Sequence, residues 1–105
     1  MYHSNRFERE LRKFDSFFIE LVDKIEDKLT EDPYTGSPLG VRWFREKRIG
    51  KYRIYYLIYE QFLQSVFMIA ISEKKDQQKV INAIKLTLNI LKEEVENIID
   101  KEDSI

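Results

Sequence analysis

Between Arg42 and Arg53 the chain carries six basic residues, Arg42, Arg45, Lys47, Arg48, Lys51 and Arg53, against one acid, Glu46. Tyr52, Tyr55, Tyr56 and Tyr59 are interleaved with them or follow at once. The formal net charge of the whole chain is only −1, so the excess of cations is local. Guanidinium groups grip phosphate oxygens in pairs and stay charged at any working pH. Cations fixed beside phosphorus stabilise the charge that develops there in a transition state. Neighbouring aromatics can stack on unpaired bases, worth about 1–3 kcal/mol per base. These residue types together suit a phosphodiester.

Other chemistries are excluded by composition. Cysteine is absent and His3 is the only histidine, near a terminus expected to fray. A histidine-based triad, a thiolate nucleophile, a zinc site and a haem ligand set therefore lack their residues. No P-loop, dinucleotide fingerprint or EF-hand loop is present. The acids Glu93, Glu94, Glu96, Asp100, Glu102 and Asp103 read as the solvated face of a helix. Neither a metal nor a cofactor is expected.

The elements that must position the cations follow from periodicity. Phe7, Leu11, Phe14, Phe18, Leu21, Ile25 and Leu29 recur at three- and four-residue intervals, a helical stripe over 4–31. It forms one helix or two in line, with Asp15-Ser16 as the break and Ser4 or Asn5 as the first cap. Residues 32–40 hold both prolines and two of the three glycines, a loop. Residues 41–72 read as an antiparallel meander of three strands joined at Gly50 and at Glu60 to Leu63. Lys51, Arg53, Tyr55 and Leu57 share one face of the middle strand, and Tyr52, Ile54, Tyr56 and Ile58 the other. Each face mixes charge with aromatic, so the pattern alone leaves open which face meets the helices, and a bulge near Gly50 would exchange them. From Ser72 or Asp76 onward, Val80, Ile84, Leu88, Leu91, Val95 and Ile98 mark a C-terminal helix over 76–100. Ile81, Leu86, Ile90 and Ile99 make it apolar around much of its circumference, so it wants a second neighbour.

At 105 residues, 43% hydrophobic and 35% charged, the chain is expected to be one globular domain. Met1 to Arg12 has no apolar core of a signal peptide, and no apolar run approaches the roughly 20 residues of a membrane span. The expectation is a cytoplasmic protein without a membrane partner.

An Asp-Pro loop with Gly36-Ser37-Pro38-Leu39, followed by Arg48-Ile49-Gly50-Lys51-Tyr52-Arg53-Ile54-Tyr55-Tyr56, resembles the RelE/ParE toxin superfamily. The resemblance covers roughly Phe7 to Leu91. It implies an α+β fold: a small twisted antiparallel sheet of three to four strands, an N-terminal helix or helical hairpin packed on it, and a long C-terminal helix. The short N-terminus leaves little room for the first edge strand common in the family. RelE-like members are metal-independent endoribonucleases that cut mRNA at the ribosome, the ribose 2′-hydroxyl attacking the adjacent phosphate.

Carried over by position, the resemblance implies catalytic roles for Arg53, Arg48, Lys47 and Lys75. Arg53 matches the arginine that contacts the scissile phosphate, and Lys47 and Arg45 lie in the strand that supplies basic residues, including a candidate general base. Lys75 or Lys74 falls near a late basic residue that is often arginine. Arg42, Arg45, Lys51, Lys74, Lys79 and Tyr55 are the implied RNA contacts. The stretch Gln77-Gln78-Lys79-Val80-Ile81 lacks the tyrosine many members carry, leaving Tyr55, Tyr56 or Tyr59 to substitute, or the activity weak or absent. Implied partners are a cognate antitoxin and the ribosome with its mRNA. Leu86 and Ile90 are the candidate partner contacts, or contacts of a homodimer through the C-terminal helix. A ParE-like topoisomerase inhibitor that cuts nothing, and a non-toxic RNA-binding or interaction module, are the alternatives on the same fold.

Overall fold

The computed structural model describes residues 1–103, so residues 104–105 of the expected single domain lie outside the described residues. The chain is an α+β structure in which a five-stranded sheet has helices on both faces. In chain order the elements are β1 (Tyr2–His3), α1 (Asn5–Leu11), α2 (Ser16–Glu31), β2 (Ser37–Pro38), β3 (Phe44–Ile49), β4 (Tyr52–Tyr59), β5 (Ser65–Glu73), α3 (Gln77–Leu86) and α4 (Leu88–Asp103). The strand order is β1-β5-β4-β3-β2, with β1 parallel to β5 and every other pair antiparallel. The three expected strands form the centre. The fourth and fifth are two-residue edge pairings, too short to leave a periodic signal.

The N-terminal stripe divides where its polar interruption falls. Asp15 caps α2 by accepting from the Phe18 amide at 2.9 Å, and the helix ends before Pro33, which disfavours helical backbone in the residue ahead of it. Ser4 caps α1 and does more. Its amide donates to the Met68 carbonyl at 2.9 Å and its hydroxyl to the Ile69 carbonyl at 2.7 Å, fastening the start of α1 to β5. The N-terminus is therefore a strand rather than a frayed end. His3 lies between Glu8 of α1 and Glu26 of α2, with Nδ1 2.6 Å from Glu8 and Nε2 in contact with Glu26.

β4 is buried along nearly its whole length because both its faces are covered. Ile54, Tyr56 and Ile58 pack with Phe7, Phe18, Val22 and Leu29 on the α1/α2 side. Tyr55, Leu57 and Tyr59 pack with Val80, Ile84, Leu91 and Val95 on the α3/α4 side. A strand with two buried faces loses the polar alternation that would mark its sides. On β5 the alternation breaks: Tyr55 pairs with Ala70 and Tyr56 with Met68, which leaves Ile69 as a bulge. Ile69 and Ala70 consequently both enter the α3/α4 cluster. The bulge sits within β5, not near Gly50. Gly50 instead supplies the left-handed backbone (φ +55°) of the two-residue β3–β4 turn.

The expected single C-terminal helix is two. Thr87 ends α3, its hydroxyl donating to the carbonyls of Ala83 at 3.0 Å and Ile84 at 3.2 Å. β-branched, back-bonding threonine bends or breaks a helix, and the turn lets α4 follow the sheet.

Candidate functional site

Arg53 lies on the α3/α4 face of β4 and is 5% exposed. Its Nη1 donates to the carbonyls of Tyr52 at 3.0 Å and Gly50 at 3.3 Å. Both acceptors are neutral, and among the described residues no carboxylate forms an ion pair with it. A guanidinium carries five N–H donors, so two bonds from one nitrogen leave donors to spare. A buried cation without a counter-ion is costly in isolation and is relieved by an anion. In the ladder Arg53 stands opposite Arg48 on one side and Ser72 on the other.

Two strand positions further along β4, the Tyr55 phenol is buried, with Oη 2.8 Å from Ser72 Oγ. The Ser72 hydroxyl donates its one proton to the Glu73 carbonyl at 3.0 Å, so the phenol donates to Ser72. Burial pushes the Tyr55 pKa up, against the Ser72 hydrogen bond, which lowers it; Glu46 adds to the rise, and Arg53 and Arg6 oppose it. The phenol is therefore protonated at neutral pH. Glu46 is its cross-strand partner, and Gln77 at the start of α3 holds Glu46 Oε2 at 2.7 Å.

A groove of about 340 Å³ between α1, β5 and α3 reaches this end of the sheet, lined among others by Arg6, Glu10, Ser72, Asp76 and Lys79. Glu10 Oε1 accepts from the Ile71 amide at 3.0 Å and from Arg6 Nε at 3.3 Å. Together with the Ser4 anchor, these bonds hold α1 along β5 and bring Arg6 to the groove that Ser72 lines. Nothing in the sequence marked Arg6, Glu46 or Ser72. Arg6 is 47 positions from Arg53 in the chain, and only the docking of α1 brings it near; Ser72 was read merely as a helix cap.

The remaining cations divide between the two sides. Arg48 is exposed opposite Arg53, and Lys79 lines the groove that ends at Ser72. Lys47 pairs with Ile54 and Arg45 with Tyr56, positions on the α1/α2 side, so neither converges with Arg53. Arg45 is a brace: its Nε and Nη2 donate to the Gly36 carbonyl at 3.0 and 2.6 Å, Nη2 also to Tyr34 at 2.8 Å, and Nη1 to Arg42 at 3.0 Å. Arg42 pairs with Glu60 at 3.2 Å and lies over the Tyr34 ring. Lys75 and Lys51 share Glu73, at 3.5 and 3.8 Å, and Glu73 stands opposite Tyr52, not Arg53. Lys75 is thereby drawn away from Arg53. Lys74 is exposed, its amide bound to the Lys51 carbonyl. Leu86 and Ile90 are 87% and 65% exposed.

No group of His, Asp and Glu among the described residues has the arrangement of a metal site. No helix among them is long and apolar enough to cross a membrane. No protein-family model matches the chain, and no curated protein sequence matches it.

Proposed function

We propose that the chain is a RelE-like toxin of a type II toxin–antitoxin pair, a metal-independent endoribonuclease acting on mRNA at the ribosome. The observation that carries this reading is Arg53, a buried guanidinium whose partners are neutral carbonyls, with Arg48 opposite it. In the proposed reaction the ribose 2′-oxygen bonds to phosphorus and its proton passes to the Glu46 carboxylate. The bond from phosphorus to the 5′-oxygen breaks, leaving a 2′,3′-cyclic phosphate and a 5′-hydroxyl. Arg53 and Arg48 neutralise the extra charge on the phosphoryl oxygens. Lys79, from the groove, protonates the leaving oxygen. Glu46 takes the general-base role because it stands opposite Tyr55 on the α3/α4 side, whereas Lys47 and Arg45 stand opposite Ile54 and Tyr56 on the α1/α2 side. The antitoxin would cover Leu86 and Ile90, the large apolar side chains that α3 and α4 leave in solvent.

The burial of Arg53 favours one other reading, a ParE-like or RNA-binding module that cleaves nothing. Cell-free translation separates the two. Cleaved, ribosome-associated mRNA that disappears with Arg53→Ala supports the nuclease. Intact mRNA together with blocked gyrase supercoiling supports the topoisomerase inhibitor, and neither effect leaves a binding module.

A further inference from the structure

The opposite side of the sheet carries a second cationic surface, where α2 faces the β3–β4 turn. Two shallow depressions of about 590 and 280 Å³ adjoin there and share Leu21 and Ile49 in their linings. Lys13, Lys24, Lys28, Arg48 and Lys51 border them, against Asp15 alone among acids. All five cations are exposed, and among the described residues only Lys51 has an ion-pair partner, Glu73 at 3.8 Å. Asp15 is already engaged in capping α2. Lys24 and Lys28 stand one helical turn apart on the same face of α2, where like charges repel unless an anion lies between them.

Aromatic rings floor the wider depression. Phe14 and Phe18 stack with centroids 3.9 Å apart, and Tyr52 meets both edge-on at 5.0 and 5.4 Å. Phe17 adjoins this cluster, is 67% exposed and makes no ring contact within it. An exposed ring beside cations on two banks of one groove, all but Lys51 unpaired, is the arrangement that binds single-stranded nucleic acid: the bases stack and the phosphates meet the lysines.

We infer that the groove between α2 and the β3–β4 turn is a binding site for single-stranded nucleic acid, with Phe17 stacking on a base and Lys13, Lys24, Lys28 and Lys51 meeting the phosphates. The site is independent of cleavage, because it lies across the sheet from Arg53 and uses no proton transfer. Arg48 touches both regions: it is the ladder partner of Arg53 and lines the α2 groove. A strand held in the groove would thus pass the rim of the Arg53 site.

The test is fluorescence anisotropy with a labelled 2′-O-methyl oligouridine dodecamer, which attack by a 2′-hydroxyl cannot cleave, so an inactive nuclease does not disturb the result. A double-stranded dodecamer and a polyglutamate peptide serve as competitors. The expected outcome is saturable binding displaced by single strand more readily than by duplex or polyglutamate. Phe17→Ala weakens it about tenfold. Lys24→Gln with Lys28→Gln lowers the slope of log K against log salt by about 1.4, the loss of two phosphate contacts. Lys85→Gln with Lys92→Gln, the same charge change on α3 and α4, leaves the slope unchanged. Circular dichroism of each variant establishes that it is folded. No binding by the parent protein, equal competition by duplex or polyglutamate, or an unchanged affinity in folded Phe17→Ala would each overturn the assignment.

Discussion

The hydroxyls of Tyr55 and Ser72 lie 2.8 Å apart even though Tyr55 pairs in the ladder with Ala70 and not with Ser72. Ser72 stands opposite Arg53, so this bond ties the phenol to the arginine's cross-strand neighbour. The Ile69 bulge in β5 and the Ser4 anchor on its carbonyl fix that end of the strand. The same anchor brings α1, and with it Arg6, to the groove that ends at Ser72. Polar chemistry is thereby gathered at one end of a face that is otherwise apolar.

A buried guanidinium kept for an external anion should cost the resting protein stability. Arg53→Met keeps an unbranched chain and removes the charge, and it is expected to raise the unfolding free energy by about 1 kcal/mol. Inorganic phosphate should raise the melting temperature of the parent protein and not that of Arg53→Met. Thermal denaturation with and without phosphate reads both effects. A variant destabilised by more than about 1 kcal/mol would make Arg53 a brace for the Gly50 turn.

Gly36 occupies a place that no larger residue fits. A Cβ there would lie 2.5 Å from both the Glu46 carbonyl and the Tyr56 hydroxyl. That hydroxyl also receives the Gly36 amide at 3.1 Å and donates to the Pro33 carbonyl at 2.8 Å. Gly36→Ala should cost about 2–3 kcal/mol through overpacking and a displaced buried phenol. A melting temperature within a few degrees of the parent would show that the loop yields freely.

The charged form of His3 is favoured by its two carboxylate neighbours. Partial burial works against the imidazolium, but the hydrogen bonds it donates to Glu26 and Glu8 outweigh this and raise the pKa above 6.5. A group whose folded pKa is raised stabilises the fold fully below its unfolded value and loses that contribution as pH rises through the folded value. As pH rises from below about 6.5 into the alkaline range the protein should lose stability, and His3→Gln should remove that dependence. Melting curves across this range decide it: an equal loss in both proteins would place the titration elsewhere.

Leu86 and Ile90, at 87% and 65% exposure, leave most of their apolar surface in solvent. Replacing both with glutamate should leave the unfolding free energy of the isolated chain within about 0.5 kcal/mol. A clear concentration-dependent drop in melting temperature relative to the parent would mean that the parent buries them in an assembly.

The sequence made the long-range order of elements legible because most helices here have one buried face. The stripe from Phe7 to Leu29 and the polar break at Asp15-Ser16 correspond to α1 and α2. β4 was legible as a strand but not as to its sides, since Tyr55 and Tyr56 are both buried, on opposite faces. Two-residue edge strands leave no period, and the Ile69 bulge involves only apolar residues. The C-terminal stripe ran on unbroken through Thr87 because its apolar spacing hid a hydroxyl that could bond back to the preceding turn. Within the site, the run from Arg42 to Arg53 was visible as charge. Its division between the two sides depended on register, which turned Arg45 into a loop brace and set Lys47 apart from Arg53. Arg6 was illegible for a different reason, as its position follows from Ser4 docking on β5.

The nuclease reading rests on Arg53 acting at phosphorus. The most direct measurement incubates a 5′-labelled single-stranded RNA with purified protein in EDTA, with and without translating ribosomes, and identifies the product termini. The expected result is a fragment ending in a 2′,3′-cyclic phosphate, formed at least about a hundredfold more slowly by Arg53→Ala. RNA left intact by the parent protein in both conditions, or cut undiminished by Arg53→Ala, would contradict it.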